Sequence, residues 1–198
     1  MNALRRFALA VSCIGLAQVG ANAKTVVLDP GHGGRDNGAR WYGVSEKTLN
    51  LDVARRVERH LKKRGIRVVM TRRSDTFVSI EQRAAIANRH SDSVFVSIHF
   101  NAHTNRSIKG IESFYISSKG KRLADCIQRR LAKRIRTRDR GSKKHHYAVL
   151  TKTRGVAALV ECGFISNRWE CNRCSETWFR EILAQEIASG IATYCGAY

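Results

Sequence analysis

Val156-Ala157-Ala158-Leu159-Val160-Glu161 is five apolar residues closed by a carboxylate. An apolar run this short, with no polar alternation, reads as a strand buried on both faces, the kind found in parallel sheets. Similar runs stand elsewhere in the chain. Thr25-Val-Val-Leu-Asp29 precedes the loop signal Pro30-Gly31, Ile66-Arg-Val-Val-Met-Thr71 follows Gly65, Val94-Phe-Val-Ser-Ile-His99 forms a third, and Ile111 to Ile116 a fourth. Between them the spacing changes from two to about four. Leu49, Val53, Val57 and Leu61 mark one helical face, as do Leu123, Ile127, Leu131 and Ile135, and then Phe179, Leu183, Ile187 and Ile191. Ser79-Ile-Glu-Gln82 is a capping box that opens another helix, fading near Asn88. Strands alternating with helices predict a single α/β domain: a mostly parallel, twisted sheet flanked by helices on both faces. No internal repeat or appended module interrupts the pattern.

The ends and the charge bound what such a domain does. Residues 1–23 read as a secretory signal, with Arg5 and Arg6 ahead of an apolar run from Phe7 to Ala17 and the small-x-small site Ala21-Asn22-Ala23. The run is shorter than the ~20 residues a spanning helix needs, so a membrane anchor is not expected. Residues 24–198 then form the mature domain, and the expected location is outside the cytoplasm, periplasmic or secreted. The chain of 198 residues carries 36 Lys and Arg against 16 Asp and Glu, a formal charge of +20. Only two of those cations lie in the signal, so the basicity belongs to the mature protein. It points to an anionic polymer as partner. The densest run, Arg129 to Lys144, has Tyr147 alone as a following aromatic and no nucleic-acid motif, so attraction to an anionic envelope is preferred over DNA or RNA. A solvated helix face remains the plain alternative for such a run.

Five cysteines follow residue 23: Cys126, Cys162, Cys171, Cys174 and Cys195. Cys171-x-x-Cys174 has no second pair or following histidine to complete a metal site. A disulfide or simple packing is the expected reading.

Open α/β sheets place their sites beyond the carboxyl ends of the strands. Strand one runs into His32, strand three ends at His99 and strand five at Glu161, while Glu46 begins the first helix. Two histidines and a carboxylate are a ligand set for catalytic zinc, which keeps a position open. The fourth acid is then available as general base and acid. The same residues also read as scaffolding: a histidine hydrogen-bonded at a strand end, and a Glu46 that favours the helix dipole. Glu161 resists that second reading, because an unpaired carboxylate ending a buried strand is expensive.

The segments Val27-Leu-Asp-Pro-Gly-His-Gly-Gly34, Ser45-Glu46-Lys47, Thr71-Arg72, Ser97-Ile-His-Phe-Asn-Ala102, Asp139-Arg-Gly141 and Val160-Glu-Cys-Gly-Phe-Ile-Ser-Asn167 resemble, in order, the motifs of the zinc-dependent N-acetylmuramoyl-L-alanine amidases of bacterial cell walls. The resemblance runs from Thr25 to about Ile191. It implies one zinc ion held by His32, Glu46 and His99, with Glu161 as the catalytic acid and base. The implied reaction is hydrolysis of the amide between N-acetylmuramic acid and L-alanine in peptidoglycan. Asn101 and Arg140 fall in the same motifs and are carried as substrate-binding candidates. Three departures stand out. The short link from Ile116 to Leu123 leaves no room for the inserted helix that blocks the zinc in partner-regulated members. Val156 stands where the family commonly has proline, and Cys171 and Cys174 stand where other residues are usual.

Overall fold

A computed structural model describes residues 25–197; the signal expected at residues 1–23 lies outside them. The elements in chain order are β1 (Val26–Pro30), β2 (Arg40–Trp41), β3 (Val44–Ser45), α1 (Glu46–Lys63), β4 (Val68–Met70), α2 (Ile80–Asn88), β5 (Val94–Asn101), β6 (Ile111–Tyr115), α3 (Ser118–Arg134), β7 (Asp139–Lys144), α4 (Ala148–Thr151), β8 (Val156–Phe164), α5 (Arg168–Ser175) and α6 (Thr177–Cys195). Six strands form one sheet in the order β4-β1-β5-β8-β6-β7. The four strands from β4 to β8 run parallel, while β6 pairs antiparallel with β8 and parallel with β7. The expected mostly parallel α/β architecture is what the chain adopts, as one domain.

Strand periodicity decides which side chain goes where. Val26, Leu28, Val94, Val96, Ile98, Ala158 and Val160 enter the larger core, which α1, α3 and α6 close with Val53, Leu61, Ile127, Leu131, Leu183 and Ile187. Their alternates Val27, Phe95, Ala157 and Leu159 enter a smaller core with Phe114, Val149 and Leu150, on the side of α2 and α4. Continuing the alternation by one step sends Asp29, His99 and Glu161 to the smaller side, at the carboxyl ends of the three central strands. That is why the helices are unevenly distributed: the thinner face is where the strand ends open.

Local chemistry fixes the helix ends. Ser79 and Gln82 form the reciprocal capping box read from the sequence. Glu46 lies in the first turn of α1 and His60, Lys62 and Lys63 in its last, each favourable to the helix dipole.

The basic run divides differently from a single helical face. Residues up to Arg134 finish α3, and Asp139–Lys144 form the edge strand β7. Cations on an edge strand are a standard protection against pairing with another chain. Cys162, Cys171 and Cys174 are buried thiols with no disulfide between them, so packing is their role in this structure. Among the described residues no helix is long and apolar enough to cross a membrane.

The contact between α3 and α6 depends on Gly190, where an added Cβ would lie 2.6 Å from the Ile127 Cα. Alanine ordinarily stabilises a helix by about 1 kcal/mol over glycine. Here overpacking against backbone outweighs that gain. Gly190→Ala should lower stability by about 1–2 kcal/mol in urea unfolding.

Candidate active site

The loop after β1 brings the first functional side chain into place through an uncommon backbone. His32 has a left-handed φ of 59°, a conformation that costs a residue with a Cβ about 1–2 kcal/mol. Two buried arginines hold the loop. Arg83 of α2 donates to the Asp29 carboxylate at 2.6 Å, to the Pro30 carbonyl at 2.7 Å and to the His32 carbonyl at 2.7 Å. Arg72 donates to the carbonyls of Pro30, Gly31 and Lys47 at 2.8–2.9 Å. Asp29 also accepts from Thr71 at 2.6 Å and Ser97 at 2.7 Å, so its buried charge is fully met. Gly31 is required by close approach: a Cβ there would fall 2.1 Å from the His99 imidazole.

On this frame His32, Glu46 and His99 converge, with one ligand atom from each lying within 4.8 Å of the others. Glu46 Oε1 is 3.1 Å from His32 Nε2 and 2.8 Å from His99 Nδ1, and the two rings stand edge to face with centroids 5.0 Å apart. The other nitrogen of His32, Nδ1, is 2.8 Å from Asp36 Oδ2. A carboxylate on the far nitrogen of an imidazole fixes its tautomer and raises its basicity, the support that metal-ligating histidines normally have. Asn50 and the Ala39 amide hold the Glu46 carboxylate, at 3.2 Å and 2.9 Å. Burial disfavours the charged form of Glu46, yet hydrogen bonds from both imidazoles keep its carboxyl far below the usual range. For His32, burial lowers the pKa but is outweighed by Glu46 and Asp36, which raise it. Two imidazoles and an anionic carboxylate, with the outer nitrogen of one imidazole already engaged, fit a divalent metal of the zinc type.

Glu161 faces this group from β8, where its Cα pairs with that of His99 on one side and Glu112 on the other. It is 7% exposed, and its Oε2 is buried without a hydrogen-bond partner. Burial, then the negative charges of Glu46 and Glu112, push its carboxyl well above the ordinary carboxylate range. A cleft-lining carboxyl with a raised pKa and a buried oxygen that lacks a partner is a candidate for proton transfer.

The remaining candidates separate. Asn101 lines the cleft and donates to Glu112 at 2.9 Å. Arg140 does not line the cleft; it donates to the other Glu112 oxygen at 3.1 Å and stands over the Phe164 ring. Lys143 adds a third partner to the same carboxylate. Glu112, buried and neutralised in this way, had no signal in the sequence, because it sits in a strand of mixed polarity. Nor did Asp29 and Arg83, whose pairing spans 54 positions.

The cleft in front of the group has a volume of about 560 Å³. One wall is Phe77 to Glu81, the other Tyr147 to Val149, and Leu159 and Glu161 form part of the floor. The Tyr147 hydroxyl is pushed up to about 12 by burial and by the charges of Glu161 and Glu112. It therefore remains a neutral wall of the cleft at any physiological pH.

Comparison with known proteins gives a consistent result. The chain matches the family described as N-acetylmuramoyl-L-alanine amidase over residues 26–193. It is 37% identical over 175 residues to the N-acetylmuramoyl-L-alanine amidase LytC of Bacillus subtilis (strain 168), covering 86% of this chain and 35% of that protein. It is 36% identical over 177 residues to the probable cell wall amidase LytH of Staphylococcus aureus, covering 88% and 59%. The chain thus spans about a third and about three-fifths of the length of these two relatives. Among solved structures, the catalytic domain of CwlV from Bacillus (Paenibacillus) polymyxa var. colistinus superimposes with a TM-score of 0.85 at 36% identity, covering 88% of this chain and 99% of that one. An N-acetylmuramoyl-L-alanine amidase from Clostridium difficile 630 gives 0.83 at 37% identity, covering 87% and 97%.

The arginine frame under the site is itself testable. Arg83→Met leaves Asp29 buried with its hydroxyl partners alone, and should cost about 3 kcal/mol in urea unfolding, as expected for halving a buried ion pair.

Proposed function

Because the chain belongs to the N-acetylmuramoyl-L-alanine amidase family, we propose that it hydrolyses the amide between the lactyl group of N-acetylmuramic acid and L-alanine in peptidoglycan, using one zinc ion. The observation that carries the proposal is Glu161: a buried carboxyl oxygen without a partner, beside the convergent His32, Glu46 and His99. Those three residues would hold the zinc, which supplies a Lewis acid at the scissile carbonyl.

The chain's own groups do the rest. Glu161 takes a proton from the attacking water as its oxygen adds to the lactyl carbonyl carbon. When the carbon–nitrogen bond breaks, Glu161 delivers that proton to the departing alanine nitrogen. Its raised pKa suits this double duty, since the protonated acid survives until the amine leaves. Asp36 orients His32, and Asn50 and the Ala39 amide orient Glu46, so that the donor set is arranged before substrate arrives. Asn101, at the cleft edge, meets the substrate, and Arg140 acts at one remove by holding Glu112, to which Asn101 donates.

The setting follows from the sequence. Residues 1–23 direct export to the periplasm or the outside, and the Arg129–Lys144 run draws the enzyme to the anionic envelope. β6 passes into α3 within two residues, so nothing inserted there covers the cleft, and the isolated domain is expected to need no activator.

Mass spectrometry of fragments released from purified sacculi tests the reaction: intact stems beginning with L-alanine are expected. Cuts inside the stem would make the protein a different zinc peptidase. Glu161→Gln and chelation should each reduce release at least a thousandfold, and Glu161→Gln should still bind zinc. Asp36→Ala should weaken zinc binding about 10–100-fold, read by competition with a chromogenic chelator. Raising NaCl towards 1 M should release the protein from sacculi, where the Debye length falls to about 3 Å.

A further inference from the structure

Among the described residues, two other than glycine have left-handed backbone: His32, at φ 59°, and Tyr42, at φ 51°. The metal-site geometry accounts for the first. Nothing in the catalytic group accounts for the second. Tyr42 and Gly43, at φ 79°, form the two-residue turn between β2 and β3. Such turns take Asn, Asp or Gly at the first position, because an aromatic side chain gains nothing from the left-handed region.

The tyrosine is nonetheless held outward. The residue is 37% exposed, and its hydroxyl donates to the Ser166 carbonyl at 3.2 Å. The Arg168 guanidinium lies 4.7 Å from its centroid. Trp41 is adjacent, at 6.1 Å between ring centroids, with the Arg106 guanidinium 5.1 Å over it. Both arginines are exposed. One exposed aromatic ring, a half-buried one beside it and two exposed guanidiniums are thus pre-arranged around the hairpin.

Its position gives it meaning. Trp41 and Val44 pack against the larger core, on the face of α1 and α6. The cleft opens on the opposite face, beside Tyr147 and Val149 of the smaller core. Glu46 stands between them, and the hairpin is tied to it in both directions: the Glu46 amide donates to the Ala39 carbonyl and the Ala39 amide to Glu46 Oε2, each at 2.9 Å. Tyr42 is four residues from Glu46, at most about 13 Å along an extended chain.

The geometry points to Tyr42, with Trp41, Arg106 and Arg168, as a ledge that binds the N-acetylated sugars of the glycan strand. The identity of the polymer rests on the amidase reading above. A muramoyl amide splits its substrate into a peptide arm and a glycan arm at the scissile bond, and the site has one distinct surface on either side. The walled cleft takes a short peptide. The exposed ledge lets a continuous polymer pass. Pyranose rings offer C–H faces to the aromatic rings, and their hydroxyl and acetamido oxygens accept from guanidinium groups, which donate only. Rings and guanidiniums already stacked lose little freedom on binding.

The test is calorimetric titration of the full chain with peptide-free glycan strands, for wild type, Tyr42→Gly and Tyr42→Phe, with thermal melting of each. Tyr42→Gly should weaken glycan binding at least tenfold while its melting temperature stays level or rises, because glycine relieves the left-handed conformation. Tyr42→Phe keeps the ring and should bind within about twofold of wild type. On sacculi, Tyr42→Gly should raise KM by a larger factor than it lowers kcat. Unchanged binding in Tyr42→Gly overturns the proposal, as does an absence of wild-type binding. So does an equal loss in both variants with a lower melting temperature, which would make the hydroxyl a structural tie. Glycan binding is measured without amide cleavage, so a failure of the amidase reading shows separately, in the stems released.

Discussion

The ion pair between Arg83 and Asp29 is the constraint on which the site depends. A strand end becomes a catalytic loop only if the chain can turn sharply there without burying unpaired carbonyls. Arg83 meets that demand by reaching from α2 to two loop carbonyls as well as to the carboxylate. Its charge is acceptable in the interior because Asp29 is there, and the Asp29 charge because Thr71 and Ser97 are there. Removing any one member leaves a buried polar group uncompensated. The left-handed His32 is the visible strain in this frame, and the frame over-determines it.

A second buried network stands on the far side of Glu161. Glu112 would be a costly neighbour for the buried Glu161 carboxyl, were it not tied to Asn101, Arg140 and Lys143. Two of these partners come from β7, the edge strand that carries part of the basic run. Part of the positive charge that composition assigns to an external polymer is therefore spent inside the molecule, on one carboxylate. The rest of that run, on α3, in the turn after it and at Lys144, is solvent-exposed, and even there Arg130 is paired with Glu186.

The parallel strands were legible because nothing but a doubly covered strand explains runs such as 94–98 and 156–160. The convergence of the four candidate residues was legible because they terminate those runs or begin the first helix, where the topology gathers them. Glu161 stood out by cost alone. What escaped was of a different kind. Asp-Arg-Gly-Ser-Lys-Lys has no strand pattern, since an edge strand is half solvated and takes its register from its neighbour β6. Arg83 looks like any helix cation until tertiary structure buries it. The β2–β3 hairpin was hidden because Tyr-Gly is not a turn signal that propensity would favour.

Where a local rule is broken and the structure holds the violation in place, the usual reason is a demand from outside the fold. His32 and Tyr42 both break the rule against left-handed backbone, and both lie in the segment that leads into the metal-ligand candidate Glu46. The segment from Gly31 to Glu46 is therefore better regarded as one device than as a loop followed by a hairpin. At one end it sets an imidazole over the cleft, and at the other it sets an aromatic ring over solvent. Its two anchors differ accordingly. The His32 end is locked by buried arginines, which exclude motion. The Tyr42 end is held at the surface by one hydroxyl and a stacked guanidinium, contacts that fix the ring while leaving it open to solvent.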